Sequence, residues 1–104
     1  VIKNALNYYF ANSTPDNLVK LFVAVVNFAG DKNMFPKVSI PKMYELSYDL
    51  DNTDLRLAYM EFKSFPSDKS IENILLVILM LCKGFGLTYG DFKKKLEKIM
   101  LDID

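Results

Sequence analysis

The chain contains no histidine and a single cysteine, so the side chains that most often supply acid–base and nucleophilic chemistry near neutral pH are almost absent. Cys82 closes the nine-residue apolar run from Ile74 to Cys82. With no imidazole to take its proton, it reads as a structural thiol rather than a nucleophile. Acid–base work would fall to carboxylates, lysines or tyrosines. The serines stand at helix ends, where a hydroxyl usually bonds the local backbone. No enzyme is expected from this set, and no cofactor.

Two spacings invite a ligand. Asp49, Asp51 and Thr53 match the odd positions that open a calcium-binding helix–loop–helix, but Asp54 stands where the sharp turn needs glycine. The twelfth loop position, which needs a bidentate acid, is Met60, and Glu61 comes one place late. The segment is better read as an acidic, capped turn between helices. Lys83-Gly84-Phe85-Gly86, followed by Gly90, has the composition of a phosphate-cradling loop, yet such loops follow a strand, and these glycines follow a helix and stop it. No metal site is expected.

Charge is balanced overall, with thirteen basic and thirteen acidic residues, so any charge-driven role must be local. The densest basic stretch holds Lys83, Lys93, Lys94, Lys95 and Lys98 against Asp91 and Glu97. A face of this kind can contact phosphates in a salt-sensitive, sequence-independent way. The plainer reading is a solvated helix face with Lys93–Glu97, Asp91–Lys95 and Lys98–Asp102 paired at helical spacing. Its acidic counterpart is Glu45, Asp49, Asp51 and Asp54, with no base until Arg56. Opposite patches on one small domain either meet between copies, head to tail, or lie side by side within a molecule.

The elements that must carry these residues are helical. Ile2, Leu6, Tyr9 and Phe10 mark a helix from about Ile2 to Ala11, broken at Asn12-Ser13-Thr14-Pro15. Thr14 is a good N-cap, Pro15 fits the first helical position, and Asp16 suits the first turn of a helix reaching Ala29, with Gly30 placed for a left-handed cap. Asp31 to Ser39 reads as the longest loop. Ser39 caps a helix expected to reach Leu50, with Met43, Tyr44 and Tyr48 on one face. Thr53 or Asp54 caps a short helix bearing Leu55, Ala58, Tyr59 and Phe62, ended by Pro66. Ser67 or Ser70 starts the most hydrophobic helix, which Gly84-Phe85-Gly86 terminates. Thr88 and Asp91 form a capping-box pair before a last helix that carries Tyr89, Phe92, Leu96, Ile99, Met100 and Ile103 on one face. The expected fold is all-α, a single compact five- to six-helix orthogonal or irregular bundle over residues 1–104. The weak Val-Ser-Ile alternation before Pro41 does not make a sheet.

At 104 residues and 51% hydrophobic content the chain is one domain in size and too apolar to be disordered. Surface scaling lets it bury about two-thirds of its unfolded surface without staples. The lone cysteine fits a reducing, intracellular compartment or a buried thiol, and the sequon Asn12-Ser13-Thr14 is better explained by capping than by glycosylation. No signal peptide is visible, and the longest apolar run is about half of what a bilayer span needs. A start at Val1, helical almost at once, fits a trimmed terminus or a piece of a longer protein. Twelve lysines against one arginine fit the coding bias of an AT-rich genome, such as that of a virus, phage, protozoan parasite or low-GC bacterium.

What stands out is apolar excess. The helices from Leu18 to Ala29 and from Ile71 to Cys82 are hydrophobic nearly all round, which means either a crossed central pair or a face left for a partner. The sequence therefore points to a non-enzymatic protein–protein interaction or assembly domain, self-association included, with Val23, Leu76, Val77 and Met80 as partner contacts. The alternative is a nucleic-acid-binding domain using Lys83, Lys93, Lys94, Lys95 and Lys98.

Overall fold

The computed structural model describes the backbone of residues 1–103 and the side chains of residues 1–101. Six helices are present among them: α1 (Ile2–Ala11), α2 (Pro15–Asp31), α3 (Ile40–Glu45), α4 (Asn52–Ser64), α5 (Asp68–Gly84) and α6 (Tyr89–Ile103). No strand occurs among the described residues, so the chain is an all-α bundle. The radius of gyration is 12.5 Å, matching the value of about 13 Å for a compact chain of this length. The expected places of Ile103 on the apolar face and of Asp102 opposite Lys98 lie outside the described side chains.

The two most apolar helices pack on each other at the centre. α2 also carries α1 and α6, and α5 carries α3 and α4. Leu18, Val19, Leu21 and Val25 of α2 and Ile71, Ile74, Ile78 and Leu79 of α5 are all fully buried. Each contributes about 1.5–3 kcal/mol by leaving water. Two edge-on aromatic pairs fasten outer helices to α2, Phe22 with Phe92 of α6 and Phe28 with Phe62 of α4, and a tilted pair, Tyr44 with Phe92, joins α3 to α6. Most of the apolar surface of α2 and α5 is thus consumed inside one chain, the central-pair outcome of the two that the sequence allows, with Val26 left 40% exposed.

Caps define most boundaries. Thr14, Ser39 and Ser67 each accept a backbone N–H at the start of α2, α3 and α5. Thr88 and Asp91 satisfy each other's backbone N–H groups at the start of α6, both at 3.1 Å. Gly86, with φ of 86°, ends α5 in a Schellman turn whose bonds run from Gly86 N to Lys83 O and from Leu87 N to Cys82 O.

Three boundaries depart from expectation. α2 passes through Gly30 to Asp31, and the left-handed residue is Asn33, φ 55°, with Met34 N bonding Ala29 O at 2.8 Å. Asparagine tolerates that conformation, so the same Schellman closure forms three residues later. The N-cap of α4 is Asp51, not Thr53 or Asp54. Its carboxylate accepts from Thr53 N and Asp54 N, while Asp54 accepts from Asp51 N. Finally, α3 stops at Glu45 instead of reaching Leu50, and residues 46–51 form a non-helical strap with Leu46 and Asp51 in extended conformation. The cause is tertiary: the Lys83 ammonium donates to the carbonyls of Tyr44 at 3.0 Å and Leu46 at 2.6 Å, and the Tyr44 hydroxyl donates to Leu87 O at 2.6 Å. Tyr48, expected on the face of Met43 and Tyr44, is exposed on that strap.

Candidate functional site

Of the partner contacts expected from sequence, Val23, Val77 and Met80 are buried at 6%, 4% and 3% exposure, and Leu76 is half-buried against the core. They are not a surface. Their helices are apolar all round because α2 and α5 are covered on several sides by α1, α3, α4 and α6.

The lysine cluster is also divided by the fold. Lys83 is tied to the strap by the carbonyl bonds described above. Lys95 forms an ion pair of 2.7 Å with Asp16 at the start of α2, the only ion pair among the described residues. Lys93 lies over the Tyr89 ring at 5.1 Å, and Lys94 and Lys98 are exposed. The expected pairs Lys93–Glu97 and Asp91–Lys95 do not form: Asp91 is held by its cap and Lys95 turns to another helix. The bond from Lys95 lowers the Asp16 carboxyl pKa, and bonds from Thr88 lower that of Asp91. Acidic side chains are therefore interleaved with the lysines.

Cys82 is wholly buried, and burial raises its thiol from 9.0 to about 12. Such a thiol stays protonated and is a poor nucleophile. Burial likewise raises Tyr44 to about 12 and pushes Tyr9 upward. The hydroxyl of Tyr9 donates to Asn52 Oδ1 at 2.7 Å, joining α1 to α4. These groups hold elements together.

One of several open grooves lies at the C-terminal end of α4. This groove of about 320 Å³ is walled by Val1, by Ile2 and Lys3 from α1, Phe28 from α2, Tyr59, Phe62 and Lys63 from α4, and Pro66. Its floor is aromatic and aliphatic. Its charged walls are Lys3 and Lys63, and no carboxylate lines it. Lys32, outside the lining residues, places a third ammonium 5.8 Å from the ring of Phe28, which the groove shares. None of the three lysines has a carboxylate partner among the described residues. Phe65, next to Pro66, is 79% exposed. Nearby, the longest loop is fastened to the start of α5 by carboxylates: Asp68 accepts from Phe35 N, and Glu72 accepts from Lys37 N and Val38 N. That clamp leaves the Phe35 side chain mostly exposed at the same end of α5.

The opposite end of α4 bears the strap. Grooves of about 360 Å³ flank it, one lined by Tyr48, Asp49, Met80 and Lys83, the other by Tyr9, Asp51, Leu81 and Phe85. Leu46 and Tyr48 are exposed, with Glu45 and Asp49 beside them. Sequence reasoning placed these acids in one patch but not at the end of a short helix and on the non-helical strap after it, and it missed the groove at the Pro66 end entirely. The groove's parts come from separated stretches with no shared motif; the one local signal was Phe65 beside Pro66 just past a helix end. Comparison with protein-family models, curated proteins and solved structures finds no match to this chain.

No single helix among the described residues is long and apolar enough to cross a membrane. The bent pair α5 and α6 is apolar enough together but turns through 112°.

Proposed function

We propose that this domain is a non-enzymatic protein-interaction or assembly module whose docking face is the groove at the Pro66 end of α4. The carrying observation is an open apolar groove, floored by Ile2, Phe28 and Phe62, beside a phenylalanine that the fold leaves in water. Exposed aromatic and apolar surface next to a preformed concavity is the usual form of a protein contact, where an anchor side chain fills a pocket and a polar rim surrounds it. The buried, high-pKa thiol and the absence of histidine support a binding role over a catalytic one. The nucleic-acid alternative draws less support, because Lys83 and Lys95 are already engaged within the chain.

The test is photocrosslinking in an extract of the producing cells, with a photoreactive residue at Phe65 and a control at Glu97 on α6. A protein adduct at Phe65 that is absent at Glu97 and competed by the unlabelled domain supports the reading. Equal labelling at both positions, or none at Phe65, contradicts it.

A further inference from the structure

We propose that the lysine-rimmed groove receives the acidic strap of a second copy of this chain, so that molecules join head to tail. The inference rests on the interaction-module reading and names its partner. Lys3 and Lys63 line the groove and Lys32 lies over Phe28, with no carboxylate among the lining residues. The strap offers the complement: Leu46 and Tyr48, 38% and 54% exposed, sit between Glu45 and Asp49. Neither acid is ion-paired among the described residues. Lys83, beside the strap, is directed at the carbonyls of Tyr44 and Leu46, and Lys42, three residues before Glu45 on α3, forms no ion pair with it. A groove of about 320 Å³ is at the bottom of the ligand-pocket range of about 300–1,000 Å³, enough for a pair of side chains such as Leu46 and Tyr48.

Geometry then selects the arrangement. Groove and strap lie at opposite ends of α4, a helix of 13 residues and therefore about 20 Å long, so one molecule cannot dock its own strap. Groove against groove sets lysines against lysines, and strap against strap sets acids against acids. Only groove against strap pairs opposite charges. Such a contact is heterologous and propagates, closing into a ring or continuing as a filament. A strap in a shallow groove buries less than the about 1,200 Å² of a standard interface, so the contact is weak and salt-sensitive.

Sedimentation velocity of the full chain tests this from about 10 μM to about 1 mM, at low and high salt. The expected result is a sedimentation coefficient that rises with concentration and falls back with salt. Lys63→Glu in the groove and Asp49→Lys in the strap, both at exposed positions, should each weaken association about tenfold or more. Mixing the two variants should restore it, because native strap meets native groove and reversed strap meets reversed groove. Circular dichroism establishes that both variants are folded. A wild type monomeric throughout, single variants that associate as the wild type does, or a mixture no tighter than either variant alone overturns the proposal. A monomeric wild type that still gives a specific adduct at Phe65 removes self-docking and assigns the groove to a different protein. A monomeric wild type with no adduct removes both readings.

Discussion

Replacing Lys83 with methionine keeps most of the stem's packing and removes the ammonium that holds the strap. Two short charged hydrogen bonds are lost, to Tyr44 O at 3.0 Å and to Leu46 O at 2.6 Å, together with a long, exposed one to Ser47 Oγ at 3.5 Å. The first is partly buried, and a charge-assisted bond there is worth about 1.5–3 kcal/mol. The second is exposed; water replaces the ammonium on that carbonyl, so its loss adds under about 1 kcal/mol. The expected cost is about 2–3 kcal/mol, or a fall in Tm of about 10–20 °C for a domain of this size. Thermal denaturation followed by circular dichroism measures the first quantity. Hydrogen exchange measures the second consequence, faster exchange confined to residues 44–51 under native conditions. If Lys83→Met costs less than about 0.5 kcal/mol and leaves exchange in that segment unchanged, the ammonium does not end α3, and the account of the strap is wrong.

Val23→Lys should destabilise the fold by about 3 kcal/mol or more in urea melts, since a charge would enter a site 6% exposed; a near-neutral effect would mean that Val23 faces solvent. Asp51→Ala should cost about 1–2 kcal/mol while Thr53→Ala costs a few tenths, because only Asp51 accepts the first N–H groups of α4; equal effects would reject that cap. Stability should hold below about pH 9 and decline as pH rises toward about 12: Cys82 and Tyr44 stay neutral in the fold, with pKa values raised to about 12, and ionise earlier when unfolded. Urea midpoints from about pH 8 to about pH 11 check this, and a flat profile contradicts the burial of both groups.

Most boundaries that depended on residues a few places apart were readable from the chain, the exceptions being α4, where Asp51 caps in place of Thr53 or Asp54, and α2, where Asn33 takes the left-handed place expected of Gly30. Thr14, Ser39, Ser67 and the Thr88–Asp91 pair all cap as their types and spacing indicate. Where a distant partner decided, the boundary was not readable. Nothing near Tyr44 signals that Lys83, thirty-nine residues later, will take its carbonyl and halt the helix. Lys95 likewise had a plausible neighbour in Asp91, yet its partner is Asp16, seventy-nine residues earlier. The apolar circumference of α2 and α5 was correctly seen, but whether it meant core or contact depended on how many helices pack around each. The groove is the extreme case, because α1, α2 and α4 contribute to one concavity and no local pattern joins them.

The most direct test of the docking account is a dilution series of amide spectra of the wild-type chain by NMR, read residue by residue. The account predicts concentration-dependent shifts at two places together, the groove residues Lys3, Tyr59 and Lys63 and the strap residues Leu46 and Asp49 with Glu45 at the end of α3, all diminishing with added salt. Spectra that do not change with concentration, or shifts confined to the exposed Leu57 and Met60 of α4 or to the lysines of α6, would contradict it.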